Sequence, residues 1–185
     1  MTASGDRLAI LFLQNACQYY AMARFGVYAH CAPVCGNLFH HAVEMLLKGA
    51  IAPKREPAEL KEIGHNLKAL WRKFKADFPD PNPNRHDRTI SVLDKLEDIR
   101  YPDAIKAHSI GWTAQWSGPA GKVTTYGRMK TPKEYAIVVD DIDDLVADVF
   151  KISSWNASSF MGTNRDALEA ITRRNKHAGF LTRAI

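Results

Sequence analysis

The chain has 185 residues, 46% of them hydrophobic, which is enough for one sizeable core and a single domain spanning 1–185. Its 25 Lys and Arg against 20 Asp and Glu leave +5 at pH 7, a moderately basic balance compatible with nucleic-acid or nucleotide partners. No run approaches the roughly 20 apolar residues of a membrane span, so no membrane partner is expected. The N-terminus, with Asp6 and Arg7 ahead of its apolar stretch, does not read as a secretory signal.

Three cysteines, Cys17, Cys31 and Cys35, lack framework spacing and fit the reduced thiols of a cytoplasmic protein. From about Arg7 to His30, Leu8, Leu11, Phe12, Ala16, Tyr19, Met22 and Ala23 recur at three- and four-residue steps and predict one long helix. "CAPVCGN" interrupts it through Pro33 and Gly36, and a second helix is expected from Asn37, as N-cap, to about Ala52. "PKREP" is a turn. A third helix covers "AELKEIGHNLKALWRKFKADF" with a break at Gly64, and "PDPNPN" stops it. A fourth runs from about Arg85 to Arg100 with Ile90, Leu93, Leu96 and Ile99 on one side.

Glycines and prolines break the stretch from Pro102 to Glu134, within which "KVTTYG" and, at its end, "EYAIVV" read as a small β-hairpin. A fifth helix from about Asp141 into "SSW" carries Ile142, Leu145, Val146 and Val149 as its stripe. The last helix, "NRDALEAITRRNKHAGFL", has Asn164 as a cap and Gly179 near its end. The chain thus divides into a helical core at 7–103, a loop and hairpin at 104–140, and C-terminal helices at 141–185.

At 100° per residue, Asn37, His40, His41, Glu44 and Lys48 share one face of the second helix, and apolar residues cover most of the rest. Two readings are open. The strip is a solvated or dimer-facing stripe in which Glu44 pairs with Lys48 or a histidine, or it is a site for ligand or RNA contact. The spacings suit a shared proton or metal, but zinc needs further ligands, so no metal and no cofactor are assigned. His65, opening "GHNL", either faces the strip and joins His40 or His41, or caps and packs its own helix.

Lys68, Arg72 and Lys75 form a basic side of the third helix, away from its apolar edge of Leu67, Leu70, Trp71, Phe74 and Phe78. They serve phosphate contact, or form a solvated face, or form a surface complementary to the acidic run Asp140, Asp141, Asp143, Asp144 and Asp148. Arg173, Arg174, Lys176, His177 and Arg183 concentrate positive charge in the tail, as an RNA grip or as cations at a helix C-terminus. Trp112 and Trp116 serve to stack bases or to pin a loop.

Taken in order, "APVCGNLFHHAVEMLLKGAI", "GHNLKALWRKF" and "LEDIRYPD" resemble the HEPN family (higher eukaryotes and prokaryotes nucleotide-binding domain) over roughly Leu8 to Asp103. The resemblance implies an all-α, antiparallel helical bundle, often a homodimer. Many members are ribonucleases that use an Arg-x4–6-His motif on a late helix, where the histidine moves protons and the arginine stabilises phosphorane-like charge. This chain departs from that pattern. Seven residues separate Arg100 from His108, with Pro102 between them, and three separate Arg173 from His177. Arg24 and His30 meet the count, but they lie on the first helix and about 600° of turn apart.

The resulting expectation is a non-catalytic, HEPN-like nucleotide- or RNA-binding or interaction protein that forms a homodimer. His40, His41, Glu44, Lys48, His65 and Arg100 are its candidate contacts, and Arg100 is expected to reach back to Glu44. A metal-independent ribonuclease of toxin type with a rearranged Arg/His site is the alternative, and a regulatory or scaffolding module the second.

Overall fold

The computed structural model describes residues 3–79, 83–96, 111–117, 134–161 and 165–182. Two long helices, α1 (Ala3–Tyr28) and α2 (Ala32–Ile51), pack against each other along their length. A Cβ on Gly49, near the end of α2, would meet the Cγ of Leu13 at 2.7 Å, and the Ala9 carbonyl lies beside it. At the other end Gly26 of α1 touches Cys35 of α2. The pair is therefore antiparallel, and Gly49 lets the two backbones approach closely.

The short connection leaves no room for Asn37 as an N-cap. Cys31 occupies that position, Pro33 lies in the first turn, where its missing N–H costs nothing, and Asn37 sits inside α2. The buried side of α1 is Ala9, Leu13, Ala16, Cys17, Tyr20, Ala23, Arg24 and Val27. Leu11, Tyr19 and Met22, which share the same apolar rhythm, are exposed. Because apolar residues lie all around α1, its periodicity does not specify which face turns inward.

α2 is the central rod. Phe39, Val43, Leu46, Leu47 and Ile51 are buried, and the helix contacts α1, α4 (Leu67–Asp77), α5 (Asp87–Leu96) and α6 (Val139–Ile152). Between α2 and α4 lies the short α3 (Pro57–Ile63), which ends at Gly64 with φ +61°, the expected break. α4 buries Leu67, Leu70, Trp71 and Phe74; α5 buries Ile90, Leu93 and Leu96; α6 buries Ile142, Leu145, Val146 and Val149.

The expected final helix is two, α7 (Arg165–Thr172) and α8 (Ala178–Thr182), separated at Arg174, where φ is +54°. Arg174 in the left-handed region ends the α-helical run. The fold is thus all-α with a small β insert.

The insert is not a hairpin. β1 (Gly111–Gln115) and β2 (Glu134–Val138) pair in parallel, Trp112 opposite Tyr135 and Ala114 opposite Ile137. β2 falls on "EYAIVV", but its partner is "GWTAQ"; "KVTTYG" lies outside the described residues. Parallel pairing needs a crossover of a dozen or more residues, which local β-propensity does not signal. Among the described residues, no helix is long and apolar enough to cross a membrane.

Candidate functional site

Burying α2 on nearly every side carries its polar strip inward. Such groups are tolerated only when their hydrogen bonds are met inside the protein. His40 and Glu44 are fully buried and Lys48 is 7% exposed. The strip is therefore not a solvated stripe: the surrounding helices close over it, while the internal pairing of Glu44 with Lys48 and the histidines holds.

Glu44 is the hub. Its Oε1 accepts from Lys48 Nζ at 2.8 Å, one turn on. Its Oε2 faces three imidazoles: His65 Nδ1 at 2.9 Å, His41 Nδ1 at 3.4 Å and His40 Nε2 at 3.9 Å. His40 Nδ1 lies 2.9 Å from the carbonyl oxygen of Leu93 in α5. A carbonyl only accepts, so that nitrogen carries the proton and Nε2 is turned to Glu44.

Burial pushes the Glu44 carboxyl up. Hydrogen bonds from His41, His65 and Lys48, with the Lys48 charge, outweigh burial and bring it to about 2. The cluster has a closed end and an open one. The His41 side chain is 20% exposed, against the ring of Tyr19, and that of His65 is 60% exposed.

His65 faces the strip, as one of its two readings had it. Asn66 takes the capping role instead, its Oδ1 accepting from Ala69 N at 2.8 Å. Arg100, its reach to Glu44, His108, Ile99, Asn164 and Arg183 lie outside the described residues, as does the side chain of Trp112.

Lys68, Arg72 and Asn66 line a groove between α4 and α5, about 590 Å³ in volume, with Trp71, Lys75 and Ser91. Lys68 Nζ lies 3.1 Å from Asp94, and Lys75 Nζ 3.0 Å from Asp87. The acidic run of α6 does not complement this face. Asp144 holds Lys176 at 2.7 Å and His177 at 2.6 Å, and Asp148 holds His86 at 2.7 Å together with Arg85. Helical rotation sends successive carboxylates of the run to different neighbours. Of the tail cations, Lys176 is thus engaged. Arg173 lies over the Tyr28 ring at 4.6 Å and Arg174 over Trp116 at 5.5 Å.

A second buried network has Arg24 at its centre. Arg24 is fully buried and its guanidinium pairs with Asp143 of α6. Nε donates to the Ala170 carbonyl at 2.8 Å and a terminal nitrogen to that of Arg173. Tyr20 donates to Asp143 at 2.6 Å and receives Asn175 Nδ2 at 2.9 Å. Burial draws the Arg24 guanidinium down, but Tyr20 and Asp143 beside it hold it above its ordinary value. The sequence carried a weak signal of this pair: Arg24 lies in an apolar stretch late in α1, and Asp143 lies next to Ile142 of the stripe Ile142, Leu145, Val146, Val149. His30 is exposed at the far end of α1, so the Arg24–His30 spacing does not bring the two side chains together.

Of the thiols, Cys31 is exposed, while burial pushes Cys17 up to about 12 and Cys35 to about 11, leaving both in the thiol form. Comparison with protein-family models, curated proteins and solved structures finds no match to the chain.

Proposed function

We propose that this is a HEPN-like, non-catalytic nucleotide- or RNA-binding protein whose contact surface is the α4–α5 groove rather than the buried strip. The observation that supports it is the convergence of Asn66, Lys68, Arg72 and Lys75 on a groove of about 590 Å³. That volume lies in the range of small-molecule sites. Lys68 and Lys75, each held by one carboxylate at the groove surface, can exchange it for phosphate oxygens, since solvent-accessible pairs of this kind are worth about 1 kcal/mol or less. The exposed Arg173 and Arg174, stacked on Tyr28 and Trp116, offer a second basic and aromatic surface for a longer strand.

A homodimer belongs to the same reading. Leu11, Met22 and Phe25, at heptad-like spacing on α1, together with Val34, are apolar and more than half exposed.

The test is fluorescence anisotropy with labelled single-stranded RNA and with nucleotides, followed by gel analysis of the RNA. Salt-dependent retention of intact RNA is expected, weakened in the Lys68→Glu/Arg72→Glu variant. Binding that ignores salt and this double charge reversal would remove the reading. Cleaved RNA would replace it with the ribonuclease alternative.

A further inference from the structure

We infer that His40, His41 and Glu44 form a binding site for a divalent transition ion of the zinc class, completed from the solvent side by His65. One ligand atom from each of His40, His41 and Glu44 lies within 4.8 Å of the other two. Ligands at 2.0–2.1 Å from a tetrahedral zinc stand about 3.3 Å apart. The three imidazole nitrogens lie 2.9, 3.4 and 3.9 Å from the same Glu44 oxygen, values that bracket that edge.

The surrounding groups are disposed as a metal's outer shell requires. The Leu93 carbonyl fixes the proton of His40 on Nδ1 and turns the Nε2 lone pair toward Glu44. Lys48 occupies Oε1 and leaves Oε2 to the histidines. At 3.9 Å, His40 Nε2 and Glu44 Oε2 are too far apart for a hydrogen bond, but the gap suits a shared cation.

Imidazole with a single carboxylate selects zinc, cobalt or nickel over magnesium or calcium, which prefer all-oxygen shells. Entry is past His41 and His65, the only partly exposed members of the cluster. On binding, His41 and His65 release the Nδ1 protons they direct at Glu44, each neutral ring keeping its one remaining proton on Nε2 by exchange with solvent. The ion then replaces the contact between His65 and Glu44 by two metal–ligand bonds, and His65 moves within its exposed position to complete the tetrahedron.

The experiment is calorimetric titration of the full-length, chelator-treated protein with zinc chloride, and of a parallel sample with cobalt chloride followed in the visible. We expect one ion per chain and the intense ligand-field absorption of tetrahedral Co(II). His41→Gln and His65→Gln, each checked for helix content, should each bind at least about 10-fold more weakly. His30→Gln/Cys31→Ser, which removes an exposed imidazole and an exposed thiol outside the cluster, should bind as the parent does. The proposal is overturned if saturable one-to-one binding is missing. Unchanged affinity in whichever of the two histidine variants folds, or transfer of the loss to the His30/Cys31 variant, also overturns it.

Discussion

Arg24 and Asp143, 119 positions apart, form an ion pair with both side chains essentially out of water. The pair ties α1 to α6, and the carbonyls of Ala170 and Arg173 extend the tie to α7. Removing one partner leaves the other charged and buried. Arg24→Ala is expected to cost about 3–5 kcal/mol, read as a fall in the denaturant midpoint. Arg24→Met/Asp143→Leu should recover part of that loss, because it leaves no unpaired buried charge, although Tyr20 and the Ala170 and Arg173 carbonyls lose their partners. A single variant as stable as the parent would show that the pair is not closed in solution.

Acid stability reports on Glu44. Its folded value of about 2 lies below the ordinary 4.5, so the charged form is favoured by folding. The contribution is fully present above about pH 4.5 and is lost as pH falls toward 2. It amounts to about 3 kcal/mol for the metal-free protein. Chemical denaturation between pH 6 and 2 should show stability falling through that window, with a shallower fall in Glu44→Gln. Equal slopes in the two proteins would place the acid transition elsewhere.

Gly49 sets the distance between α1 and α2. Alanine ordinarily favours a helix interior by about 1 kcal/mol over glycine. Here its Cβ would lie 2.7 Å from Leu13 Cγ and 3.2 Å from the Ala9 carbonyl oxygen. Overpacking of this kind costs about 1–3 kcal/mol, so Gly49→Ala should lower the melting temperature despite the better propensity. A raised melting temperature would mean that the helices separate at little cost.

Much of the helical layout was legible from repeat spacing and breakers. Gly64 divides α3 from α4, and Ile142, Leu145, Val146 and Val149 face inward. The apolar seam of α1 was less legible, because apolar residues surround that helix and the packing of α2 chooses among them. The parallel partner of β2 was not legible either, since nothing local distinguishes a neighbour across a crossover from one across a turn.

The sequence by itself determined that His40, His41, Glu44 and Lys48 share one face of a helix, because that follows from 100° per residue. Only the tertiary structure decided that the face is covered, that His65 comes from another segment to meet Glu44, and that Arg24 is consumed by Asp143. Those outcomes depend on which helices pack together over long separations, and helical periodicity describes a face without naming what will be laid against it.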